Sequence, residues 1–85
     1  MLAFHYTITD ESGIHARPAG LLVKEAKKYE SKIMIKTGVK SVEATKLMAI
    51  MSLGIKCGQD VEVEISGPDE QNAFDELKNF FNTNL

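Results

Sequence analysis

The 85-residue sequence has a single cysteine, Cys57, so no intramolecular disulfide can form. An unpaired thiol suits a reducing compartment. No apolar run approaches the roughly 20 residues that a membrane span needs, so no membrane insertion is expected. Met1 to Tyr6 lacks the charged and apolar regions of a signal peptide. A cytoplasmic location is therefore the expectation. A basic excess is missing too: 10 Lys and Arg face 12 Asp and Glu, a formal net charge of −2. Nucleic-acid-binding domains usually carry such an excess, so no nucleic-acid partner is expected. His5, His15 and Cys57 have no recognisable metal-ligand spacing, and neither a metal nor a bound cofactor is expected. The chain has no internal linker and no convincing repeat.

What is present is ordinary for a globular protein, with 44% hydrophobic and 26% charged residues. The length is enough for one domain spanning residues 1–85 and not for two.

Leu2, Phe4, Tyr6 and Ile8 alternate with Ala3, His5, Thr7 and Thr9, the period of a half-buried strand. His5 falls on its polar side. Asp10 to Gly13 reads as a turn. From Ala16 the period changes: Ala19, Leu22, Val23 and Ala26 share one helix face, with Lys24, Glu25, Lys27 and Lys28 on the other. Pro18 fits only the first turn, where a missing N–H costs little. Ile33 and Ile35 mark a second strand. Gly38 permits a turn, and Val39 to Glu43 is expected to return as a third strand. Leu47 to Leu53 reads as a short helix closed by Gly54, with Thr45 as its expected cap. Val61, Val63 and Ile65 alternate with Glu62 and Glu64 in a fourth strand. Asp69 is expected to cap a last helix whose stripe is Ala73, Phe74, Leu77, Phe80 and Phe81. The order is βαββαβα, an α+β arrangement with helices covering one face of a sheet. The strand order within the sheet cannot be read from these patterns.

The chemistry concentrates in Ser12-Gly13-Ile14-His15-Ala16-Arg17-Pro18-Ala19. His15 lies at the junction of loop and helix, where free N–H groups and the macrodipole favour an anion. The same field favours a neutral imidazole, whose lone pair can attack phosphorus. Arg17 adds a guanidinium suited to phosphate oxygens. Gly13 allows an unusual backbone conformation just before the histidine. Ser12 is expected either to cap the helix or to hydrogen-bond near the phosphate.

The segment from Gly13 to Ala19 resembles the active-site signature of the HPr family, the histidine-containing phosphocarriers of the bacterial sugar phosphotransferase system. Met51-Ser52-Leu53-Gly54-Ile55 and Gly67-Pro68-Asp69-Glu70 resemble the same family, and the similarity runs along essentially the whole chain. The resemblance implies an HPr-like open-faced β-sandwich: a four-stranded antiparallel sheet with three helices on one face. It implies that His15 takes a phosphoryl group on Nδ1 from enzyme I, which draws on phosphoenolpyruvate, and hands it to the IIA domain of a sugar permease. Arg17 would assist, and the amides of Ala16 and Arg17 would hold the phosphate. The protein would be a relay with no turnover of its own; the sequence does not fix the oligomeric state, though a monomer fits a carrier that must offer one face repeatedly.

A partner surface follows from the helical period. Leu47, Met48 and Met51 cannot all turn inward beside Ile50 and Leu53, and adaptable methionines suit a surface that meets several partners. Gly20 leaves room for close approach, and Lys24 and Lys27 supply a basic rim.

One position departs from the family. Many relatives from Gram-positive bacteria carry a regulatory serine where Lys46 stands. A lysine cannot accept that modification. Two other functions compete: a regulatory interaction module controlled through His15, and an unrelated α/β binding module.

Overall fold

Successive Cβ atoms of a strand point to opposite faces, and this alternation builds the sheet. The computed structural model describes residues 1–85. Its elements are β1 (Leu2–Thr7), α1 (Ala16–Ala26), β2 (Lys32–Thr37), β3 (Lys40–Glu43), α2 (Leu47–Ser52), β4 (Asp60–Ser66) and α3 (Glu70–Asn84). The four strands form one sheet in the order β1-β4-β2-β3, with every neighbouring pair antiparallel. Phe4 pairs with Val63, and Val63 in turn with Ile35. One apolar row thus crosses three strands on the face that the helices cover. His5, Glu62 and Lys36 form the corresponding row on the open face.

The expected architecture is the observed one. α3 closes the β1 end of the core through edge-to-face aromatic contacts, with Phe4 5.5 Å from Phe74 and 5.7 Å from Phe81 between ring centroids. Ala73, Leu77 and Phe81 are fully buried, as the stripe of α3 requires. No buried side-chain nitrogen or oxygen lacks a hydrogen bond.

Three local expectations need correction. The third strand begins at Lys40, not Val39. Gly38 (φ +58°) and Val39 form a two-residue hairpin loop, and Val39 is wholly exposed. Thr45 does not cap α2. The N-cap position falls on Lys46, which makes no capping bond. Asp69 does occupy the N-cap of α3, but its carboxylate does not serve that helix. It accepts the N–H groups of Glu30 (3.0 Å) and Ser31 (2.9 Å) and the Ser31 hydroxyl. The start of β2 is close by: a Cβ on Gly67 would lie 2.6 Å from Ser31 Cα. A carboxylate with two acceptor oxygens therefore finds better donors across the chain than along its own helix.

The Ser31 hydroxyl, together with the Glu30 and Ser31 amides, holds the Asp69 carboxyl below its ordinary range. A carboxyl depressed on folding contributes stability above its unfolded value near 4, and loses it as pH falls through the folded value. Asp69→Ala is therefore expected to lower the denaturation midpoint at pH 7. The gap to wild type should close as both proteins are taken below about pH 4, which denaturant titrations at several pH values would check.

Candidate active site

The site begins with a turn. Gly13 N–H donates to the Asp10 carbonyl (2.9 Å), and Ser12 N–H donates to the Asp10 carboxylate (2.9 Å). Asp at the first position and Gly at the fourth are what such a turn favours. Upstream, the Thr9 and Asp10 amides donate to the main-chain oxygen of Leu85. The end of α3 thereby holds the loop from outside.

Gly13 is confined in two ways. Its φ is +67°, and an added Cβ would clash with the Ile55 oxygen and lie 2.7 Å from Lys56 Cα. That approach allows Ile14 N–H to bond the Ile55 carbonyl (3.0 Å) while the Ile14 side chain enters the core. The next residue, His15, is delivered to the N-cap of α1.

His15 has extended backbone (φ −97°, ψ −177°) and makes no side-chain capping bond. Its carbonyl accepts the first helical bond, from Ala19 (3.0 Å). The amides of Ala16 and Arg17, first and second in the helix, have no partner in the protein. Pro18 has no N–H to satisfy. Two donors are left open at the positive end of the helix, beside an imidazole.

A shallow cleft of about 240 Å³ joins His15 to Asp10, Arg17, Pro18, Leu21 and Asn84. Arg17 is exposed and in no ion pair. Imidazole, free amides and unpaired guanidinium form a nucleophile with an anion site around it. Ser12 lies outside the cleft and its hydroxyl makes no hydrogen bond. The expectation that it caps the helix is corrected, because the N-cap lies three residues on.

Sequence reasoning missed Asp10, Leu21 and Asn84. Leu21 was detectable, since Leu21, Leu22 and Val23 cannot all face inward. Asp10 carried only a turn signal. Asn84 carried none, because only the tertiary return of α3 brings it here.

The other histidine, His5, lies on the open face of the sheet. Its Nδ1 is 2.9 Å from Asp60 Oδ2, and the hydrogen bond to that carboxylate raises its pKa. No free helix amides face it.

Leu21 lines the cleft and is exposed, and on α2 Leu47 and Met48 are exposed, the last by 77%. Met51 is half-buried against the core. Gly20 faces open space, and Lys24 and Lys27 are exposed without ion-pair partners. α2 packs against α1.

The family model described as "PTS HPr component phosphorylation site" matches residues 2–83. The chain belongs to the HPr family. It is 35% identical over 74 residues to the phosphocarrier protein HPr of Treponema pallidum, covering 87% of this chain and 84% of that one. The HPr of Thermoanaerobacter tengcongensis superposes with a TM-score of 0.93 at 36% identity, covering 98% of this chain and 93% of its own. Crh of Bacillus subtilis, a catabolite-repression relative described as a domain-swapped dimer, superposes at 0.78 and 30% identity, covering 100% and 98%. HPr proteins are phosphocarriers of the phosphotransferase system, and that role applies here at the level of the family.

Two substitutions check this account of the HPr site. Gly13→Ala meets both a forbidden backbone region and a main-chain clash. It is expected to cost about 2–3 kcal/mol and to perturb the His15 ring resonances. Lys46→Ser supplies the missing cap of α2 and removes a cation from a helix N-terminus. It is expected to stabilise by about 1 kcal/mol, roughly 5 °C in Tm. Calorimetry reads both.

Proposed function

We propose that this chain accepts a phosphoryl group from phospho-enzyme I on His15 and donates it to the IIA domain of a sugar permease. The observation that carries the reading is the pair of open amides, Ala16 and Arg17, at a helix start capped only by an imidazole. The Nδ1 lone pair attacks phosphorus. As the new P–N bond forms, the bond to the donor breaks and the donor keeps its electron pair. Positioning and charge stabilisation are nearly all that such a transfer requires. The two amides and the Arg17 guanidinium receive the charge that arrives with the phosphoryl group. Transfer to IIA is the same step with this chain as donor.

Both transfers require a partner to reach an exposed site. The apolar residues Leu47 and Met48, flanked by Met51 and by Gly20, offer a docking surface, and Lys24 and Lys27 form its cationic rim. Residues 1–85 act as one HPr domain in the cytoplasm, without a cofactor and without turnover of their own. A monomer fits this work. All six residues of β1 pair with β4 of the same chain, so its place in the sheet is filled without a second copy.

Incubation with enzyme I and labelled phosphoenolpyruvate is expected to give an acid-labile phosphate on the wild type and none on His15→Ala. Failure of the wild type to label with several active enzymes I overturns the carrier role in favour of the regulatory module. Arg17→Ala should remain a substrate but slow transfer on the order of ten- to a hundredfold. Met48→Asp should raise KM for enzyme I on the order of tenfold at unchanged kcat, because docking and not chemistry is lost.

A further inference from the structure

The anion site around His15 contains one group of the wrong sign. Asp10 lines the same cleft as His15 and Arg17, and these three are its only charged or titratable residues. Its backbone is fixed at both ends: its N–H donates to the Leu85 oxygen (3.0 Å) and its carbonyl accepts Gly13 N–H (2.9 Å). Its carboxylate is fixed by Ser12 N–H and pairs with no cation. The turn needs an acceptor at this position, and an asparagine oxygen would serve equally well. The negative charge is therefore surplus to the turn.

We infer that the Asp10 carboxylate is a positioning and tuning residue of the phosphocarrier site, an electrostatic counterweight that weakens the hold on the phosphoryl group bound to His15. This rests on the reading of His15 as phosphoryl acceptor. Two free amides, a helix dipole and a guanidinium all stabilise the phosphorylated state. A relay that bound its cargo with all of these unopposed would accept readily and donate poorly. A fixed carboxylate in the same cleft destabilises the dianionic phosphoryl group but not the empty imidazole. It raises the tendency to give the group away. When the cleft is empty, the same charge attracts the unpaired Arg17 guanidinium inward, ready for the incoming group.

Asp10→Asn separates charge from turn. Wild type, Asp10→Asn, Asp10→Ala and the distant control Asp75→Asn would be phosphorylated chemically with phosphoramidate. In that reaction the P–N bond of the reagent breaks, ammonia leaves and the imidazole takes the phosphoryl group. The His15 adduct is identified by its absence from His15→Ala, and its half-life is followed by phosphorus NMR. Asp10→Asn is expected to lengthen the half-life by roughly three- to tenfold at low ionic strength, with unchanged Tm. The effect should shrink towards 1 M salt, where the screening length falls to about 3 Å. Asp75→Asn should match wild type. Equilibration with phospho-enzyme I should shift towards the phosphorylated carrier by a similar factor in Asp10→Asn.

An unchanged half-life in Asp10→Asn at low salt overturns the inference. So does a change confined to Asp10→Ala, which would make Asp10 a turn residue and nothing more. Chemical labelling of His15 without any exchange with enzyme I would instead overturn the carrier role, while the half-lives still decide the part played by Asp10.

Discussion

The approach of Gly13 to the Ile55–Lys56 backbone is the contact on which the site depends. It lets two loops far apart in the sequence touch main chain to main chain, closed by the Ile14 to Ile55 hydrogen bond. Ile8 and Gly58 extend the same junction, the Ile8 carbonyl accepting Gly58 N–H at 2.8 Å. With Ile14 drawn into the core, His15 cannot follow it. The chain must emerge at the surface one residue later, and it does so where α1 begins. His15 is partly exposed because its neighbour Ile14 is buried.

Sheet and helices were legible because their faces are two-sided. In β4 every second residue is buried, in β1 Leu2, Phe4 and Tyr6 are less exposed than the residues between them, and in α1 and α3 the apolar stripe matches the helical period, so periodicity located them directly. The hairpin tip was misread because Val39 is β-branched and looks like strand. A tight two-residue turn tolerates such a residue at its second position with ordinary φ, and nothing in Gly38-Val39-Lys40 reveals where pairing starts. The β1-β4-β2-β3 order was hidden because alternation says which face is buried, not which strand is adjacent.

At the site the division is similar. His15, Ala16 and Arg17 are consecutive, so local sequence could place them at one helix start. Asp10 and Asn84 come together only because α3 returns to the loop after Thr7 and fixes it through Leu85. Sequence reasoning assembled the groups that attract a phosphate. It could not assemble the group that opposes one, because that opposition exists only in the folded cleft. The polar residues Ser12, Thr45 and Asp69 were misassigned for a related reason. Each has the chemistry of a cap, and whether a cap forms depends on which donors the tertiary structure brings nearer.

None of the three helices has a side-chain cap, and the three exceptions have different causes. In α3 the Asp69 carboxylate is drawn away to the start of β2. In α2 the position carries Lys46, which offers no acceptor and the wrong charge. In α1 the vacancy is chemical. A serine at position 15 would satisfy the helix and contribute about 1 kcal/mol of stability, but it would fill the amides with its own oxygen. An imidazole leaves them open, and in the proposed function the acceptor arrives with the phosphoryl group. On that proposal a helix start that is incomplete as structure would become complete only when loaded, which would tie the stability of α1 to its cargo.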